Sequence, residues 1–255
     1  MPFQKVQTEK LSQSVVRQIE LLILRGILRP GERLPSEREL AERMDVSRPS
    51  LREAVADLSE RGLLVARPNA GIYVADVLGS AFAPALVDLF ARHDEAVFDY
   101  LAFRRDMEGL AAERAARLGS DTDLAVVDAV FRKMEAAHGK RDPSDEAGLD
   151  AEFHMAIIEA SHNVVMLHML RSMFDLLRQG VFYNRQMLFR TRTTRDVLLD
   201  QHRAINSALQ ARDPAAARAA VEAHLGFVAG ALEDQLKADR FEAIALQRLQ
   251  HERGR

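Results

Sequence analysis

Apolar side chains recur at helical spacing at the start of the chain. Between residues 8 and 25 they lie three or four positions apart, and Gly26 follows them, which predicts an amphipathic helix. The next stretch, Pro35–Arg61, reads PSERELAERMDVSRPSLREAVADLSER. It predicts two short helices that begin after Ser36 and Ser47, because serine at these positions can accept a hydrogen bond from the first helical turn.

A β-rich pattern follows these helices. Two short apolar runs, residues 63–66 and 72–75, flank the turn-forming segment Arg-Pro-Asn-Ala-Gly, as expected for a β-hairpin. The order of one helix, a two-helix unit and a hairpin predicts a winged helix-turn-helix over residues 1–76, with the hairpin as its wing.

Polar and basic residues gather at the start of the second short helix and at the tip of the wing. Two arginines with two hydroxyls suit contacts to phosphates and base edges in the major groove, and the wing tip can reach the minor groove or phosphates. The candidates are Ser47, Arg48, Ser50 and Arg52 in the helix, and Arg67 and Asn69 in the wing. The alternative is a small helical hairpin with a solvated basic face.

The rest of the chain lacks a strand pattern. Residues 77–93 form a joint with one short helix, and residues 94–240 contain six or seven amphipathic helices, which predict an antiparallel all-α bundle. Residues 241–255 are expected to be a charged tail that frays at its end, HERGR, after a last helix that ends near residue 237. The fold class is therefore mainly α, with a winged helix-turn-helix before a helical domain.

Composition narrows the function classes only in part. The net charge is −3, and residues 1–76 hold 12 Lys and Arg against 11 Asp and Glu, so DNA binding is not argued from bulk charge. The chain has no cysteine, which excludes disulfides, thiolate metal ligands and thiol nucleophiles. No apolar run is long enough to span a membrane, and no signal peptide is apparent. These features are consistent with a cytoplasmic protein.

Four side chains of the helical region form a candidate metal set. Asp150 and His154 are four residues apart on one helix face, and His202 and His224 belong to two later helices that a bundle can bring alongside. One carboxylate and three imidazoles suit Zn, Ni, Co or Mn. Dispersed Asp and His residues are common in proteins, so this pattern alone does not establish a metal site.

The N-terminal sequence resembles the DNA-binding domain of GntR-type bacterial transcription regulators. The resemblance is carried by GERLPSERELAERMDVSRPSLREAVADLSERGLL and the following hairpin, and it covers residues 8–75. It implies that Arg38, Arg48 and Arg52 contact DNA, while Ser47 and Ser50 help to set the register.

The helical region resembles the effector domain of the FadR subgroup, the FCD domain. The segments DAEFH, DQHRAI and VEAHL carry this resemblance, which implies a divalent metal, with zinc favoured, on Asp150, His154, His202 and His224. It also implies that Arg104, with Arg105 beside it, faces the effector pocket and binds the carboxylate of the effector. For Arg104 the alternative is a salt bridge to Glu108, one helical turn away. The segment EASHNVVMLHMLRSM is similar to regulators of pyruvate and lactate metabolism.

These resemblances imply a homodimeric regulator that binds a palindromic operator. A small organic acid such as lactate, pyruvate or glycolate is expected to modulate that binding at the metal site, with repression as the default. One alternative is a regulator that responds to the metal itself. Another is a metal-dependent enzyme with an appended winged helix, which is disfavoured because no further acid–base pair is apparent.

Overall fold

A computed structural model gives the fold, and it describes residues 10–67, 70–76, 84–138, 144–178 and 192–253. The chain divides into two compact units, residues 1–79 and 80–255. Each of them is described by itself.

The first unit is a winged helix, as predicted. It contains α1 (Leu11–Leu24), α2 (Glu37–Arg43), α3 (Arg48–Glu60), β1 (Leu64–Arg67) and β2 (Gly71–Val74). The two strands pair antiparallel, with Leu64 opposite Val74 and Arg67 opposite Gly71. Asn69 lies outside the described residues, so its predicted role at the wing tip is not addressed by the structure.

Local sequence signals explain how α2 and α3 begin. Ser36 accepts a hydrogen bond from the Glu39 backbone N–H at 3.3 Å, and Ser47 accepts one from the Ser50 N–H at the same distance. The Glu39 side chain forms an ion pair with Arg43, one turn further along α2, at 2.6 Å. Between the helices, Asp45 adopts a φ of 51°, a conformation that aspartate tolerates better than most residues.

One apolar core joins the three helices and the hairpin. Its fully buried members include Leu51, Ala54 and Leu58 on α3, Ile19 on α1 and Leu64 on β1. Because these side chains occupy the inner face of α3, the opposite face of that helix is left for solvent or a partner.

The second unit is helical throughout its described residues. It contains α4 (Pro84–Arg92), α5 (Asp94–Leu118), α6 (Asp121–His138), α7 (Ser144–Ala160), α8 (Val164–Arg178), α9 (Arg192–Gln210) and α10 (Pro214–Arg253). Helix α5 packs against α7 and α10, and α9 packs against α6 and α10. The short helix expected in the joint is α4, whose Val87 and Phe90 pack on the core of this unit.

The C-terminus differs from the sequence prediction. Helix α10 does not end near residue 237 but continues to Arg253, so residues 241–253 are helical rather than a frayed tail. The physical reason is that residues 231–253 contain neither glycine nor proline and are rich in Ala, Leu, Gln, Glu and Arg, which favour helix. No helix in the described parts of the chain is both long enough and apolar enough to cross a membrane.

The winged-helix core yields a stability prediction. Replacing Leu51, whose side chain is 0% exposed, with alanine leaves a cavity and should destabilise this unit by roughly 2–5 kcal/mol. Leu11→Ala, at the exposed start of α1, should change stability by about 0.5 kcal/mol or less. Hydrogen exchange of α1–α3 amides in the full chain measures both effects. Equal protection in the two variants would contradict the assigned core.

Candidate DNA-binding face and metal site

The outer face of α3 carries most of the predicted DNA-contacting residues. Arg48 and Arg52 are exposed, and Ser50 is half-buried. The hydroxyl groups of Ser47 and Ser50 form a hydrogen bond, with their oxygens 2.9 Å apart. The structure therefore places these candidates at the N-terminal end of α3, with both arginines exposed to a partner.

Glutamates on α2 contact two of the predicted arginines. Arg52 Nε donates to Glu37 Oε2 at 2.7 Å, and this bond raises the pKa of the Arg52 guanidinium. Arg38 lies 3.9 Å from Glu42 in an exposed pair. Sequence reasoning missed Glu37, because fifteen residues separate it from Arg52 and only the packing of α2 on α3 brings them together.

The wing presents an arginine on an aromatic ring. Arg67 Cζ lies 4.4 Å from the centroid of the Tyr73 ring, and the Tyr73 hydroxyl donates to the Ala70 carbonyl at 3.2 Å. Such stacking favours a cation over the ring face and restricts Arg67 without removing it from solvent.

The four predicted metal ligands meet in the second unit. Their ligand atoms all lie within 4.8 Å of one another, and each residue is at most 4% exposed. Helix α7 provides Asp150 and His154 one turn apart, α9 provides His202 and α10 provides His224. All four occupy helix faces that otherwise bury apolar residues, so ordinary helical packing draws them together.

The rings and the carboxylate are in close contact. His202 Nε2 lies 3.0 Å and His154 Nε2 3.8 Å from Asp150 Oδ1. The ring centroids of His202 and His224 are 4.5 Å apart, and those of His154 and His224 are 5.2 Å apart. Phe153 packs edge-on against His202, with the ring centroids 5.3 Å apart, and it forms an apolar wall beside the cluster.

Outer contacts fix the orientation of two imidazoles. His154 Nδ1 lies 2.7 Å from Glu108 Oε2, and His224 Nδ1 lies 3.0 Å from Gln201 Oε1. Each contact places the Nδ1 proton on the outer side and leaves Nε2 for the cluster. Glu108 was foreseen only as a partner of Arg104, and no sequence signal pointed to Gln201.

The fit of this cluster to a cation can be tested on its buried atoms. His154 Nε2 and both ring nitrogens of His202 form no hydrogen bond with the described residues, because the approach of the two Nε2 atoms to Asp150 Oδ1 lacks hydrogen-bond distance or angle. Burial lowers the pKa of His154 and, together with the positive potential of neighbouring histidines, lowers that of His224 well below its usual value. Neutral imidazoles with inward lone pairs beside one carboxylate are the donor set that a divalent metal requires.

The two predicted effector arginines lie in different environments. Arg104 is 1% exposed, and its Nε donates to Glu108 Oε1 at 2.6 Å, so the salt bridge considered from the sequence is present. Its Cζ also lies 4.7 Å from the centroid of the Phe174 ring. The Arg105 side chain is 48% exposed and contacts Asp106. Neighbouring helix positions point about 100° apart, and the structure does not bring Arg105 to the cluster.

Comparison with known protein families agrees with this architecture. The gntR family of bacterial regulatory proteins matches residues 11–74, and the FCD domain matches residues 99–227. The chain belongs to the GntR family. Its two matched regions coincide with the winged helix and with the helices that carry the four-residue cluster, so it is a regulator of the GntR type with an FCD domain.

Individual relatives of this GntR-family protein are transcription regulators rather than enzymes. A protein of Escherichia coli (strain K12) named as an L-lactate dehydrogenase operon regulatory protein is 33% identical over 97% of this chain and 98% of its own length. The Glc operon transcriptional activator of the same strain is 33% identical over 90% of this chain and 92% of its own. Among solved structures, Streptococcus agalactiae GntR is 27% identical, with a TM-score of 0.50 over 86% of this chain and 98% of its own.

Proposed function

We propose that this GntR-family protein is a cytoplasmic homodimer whose binding to a palindromic operator is controlled by a small organic acid at a metal site. Asp150, His154, His202 and His224 would hold the metal, and zinc is the first candidate. The observation that supports this most is the buried cluster itself, because unpaired imidazole nitrogens are costly inside a protein unless a cation satisfies them.

The effector is proposed to be a 2-hydroxy or 2-oxo acid. A divalent metal held by four protein ligands would supply Lewis acidity and open positions for carboxylate and hydroxyl oxygens. Arg104 is buried, and the Glu108 carboxylate contacts both Arg104 and His154. The planar guanidinium of Arg104 also suits the carboxylate of an acid. The relatives named after L-lactate dehydrogenase and Glc operons support this class, and L-lactate and glycolate are the first acids to test.

The DNA-reading residues are proposed to be Arg38, Ser47, Arg48, Ser50 and Arg52 in the helices, with Arg67 and Asn69 in the wing. Those of them that the structure describes are exposed or, for Ser50, half-buried, which suits contacts to phosphates and bases. An effector that binds one arrangement of the helical domain better than another would shift the arrangement of two DNA-binding heads. Repression relieved by the acid is the proposed mode, although one relative is named an activator.

A first prediction concerns the recognition helix. Arg48→Ala should weaken operator binding about 5- to 150-fold, because loss of one bidentate base contact costs about 1–3 kcal/mol. Arg25→Ala, at the end of α1 and outside the proposed face, is the matched control and should bind as wild type does. Titration of operator DNA at fixed salt measures both. Undiminished binding by the Arg48 variant would contradict the assignment.

A second prediction concerns the metal. His202→Ala should lose stoichiometric zinc, and its operator affinity should no longer respond to L-lactate or glycolate, while DNA binding without acid persists. Zinc content by elemental analysis and DNA affinity with and without acid are the measurements. His251→Ala, an exposed histidine of α10, is the control. Operator affinity that follows free zinc at constant acid would instead favour a metal-sensing regulator.

A further inference from the structure

Glu108 connects two parts of the site that have separate tasks in the proposed function. It lies on α5 one turn after Arg104 and is 2% exposed. Its Oε1 accepts from Arg104 Nε at 2.6 Å, and its Oε2 accepts from Arg104 Nη2 at 3.3 Å. The same Oε2 lies 2.7 Å from His154 Nδ1 on α7. One buried carboxylate therefore contacts both the arginine and a metal-ligand histidine.

The contacts of this carboxylate favour its ionised form. Burial alone would raise the pKa of Glu108, but the Arg104 guanidinium and the hydrogen bonds from Arg104 and His154 outweigh burial and lower it. A fixed anion at this position favours a proton on His154 Nδ1 and increases the basicity of the ring nitrogen on the other side. It also fixes the plane of the guanidinium by contacts to two of its nitrogens.

We propose that Glu108 is a positioning residue that couples acid binding to metal binding. This inference rests on the proposed function, and it adds the element through which the two ligands influence each other. When the carboxylate of an acid also binds Arg104, the hydrogen bonds from Arg104 to Glu108 weaken. Glu108 then accepts a stronger hydrogen bond from His154 Nδ1. A stronger acceptor makes His154 a better metal ligand, so the acid tightens metal binding and, by linkage, the metal tightens acid binding by the same factor.

The variant Glu108→Gln tests this role with little change in volume. A glutamine amide has one acceptor oxygen and a donor NH2 group, so it is uncharged and cannot accept at both positions where the two Glu108 oxygens accept. Zinc affinity, measured with a competing chelator in the full-length protein, should fall about 10–100-fold. The factor by which L-lactate or glycolate tightens zinc binding should fall towards one.

Two further measurements separate positioning from general loss of folding. Imidazole 15N resonances of the full-length protein report which nitrogen of His154 carries the proton. The Nδ1–H form should dominate in wild type and become mixed in Glu108→Gln. Arg104→Met is the second variant. Because Arg104 then no longer competes with His154 for Glu108, zinc should bind at least as tightly as in wild type, while the acid loses its effect.

Glu113→Gln is the matched control on the same helix. Glu113 pairs with Arg218 at 3.1 Å near the surface, and its replacement should leave zinc affinity and the acid effect unchanged.

The possible failures are distinguishable. Wild-type zinc affinity and acid response in Glu108→Gln would overturn the role of Glu108 alone. Zinc binding by wild type that neither acid alters would overturn the coupling and leave the metal site standing. A wild-type protein that binds no zinc would overturn both this inference and the proposed function.

Discussion

The stability of the helical domain depends on four polar side chains that are buried between its helices. Asp150, His154, His202 and His224 are buried on three helices at positions where apolar residues would pack without cost. Inward-facing imidazole nitrogens without partners are unfavourable unless a cation binds them. A ligand bound by this cluster would therefore hold α7, α9 and α10 together in addition to their packing. This is a suitable place for a small molecule to alter the arrangement of helices, because a bound metal would stabilise the same contacts as the apolar core.

The contacts around the cluster make it asymmetric. On one side, Phe153 closes the cluster with an aromatic wall. On another, Glu108 and Arg104 form a charged pair that is almost completely buried. Removing one partner from a buried ion pair is far more costly than removing one from a surface pair, so a ligand that competed for the arginine would change the energy of this side strongly. The winged helix has the opposite character, since its arginines are exposed and its ion pairs lie at the surface.

Much of this fold could be predicted from the sequence, and the successes share a physical basis. Ser36 and Ser47 cap helices through short-range hydrogen bonds, which depend only on neighbouring residues. The Asp150–His154 spacing predicts a shared face for the same reason. The predicted end of α10 was wrong because helix-forming residues continue past the last buried position. Glu37, Gln201 and the contact between Glu108 and His154 depend on how helices pack, which residue spacing does not encode.

Three imidazoles and one carboxylate are proposed to bind a divalent metal in the helical domain. X-ray absorption at the zinc edge, on full-length protein loaded with one equivalent of zinc, tests this binding. If these four residues hold the zinc, its first shell consists of nitrogen and oxygen atoms at roughly 2.0–2.2 Å, with the outer-shell scattering of three imidazole rings. A shell of oxygen atoms with fewer than three imidazoles would contradict it.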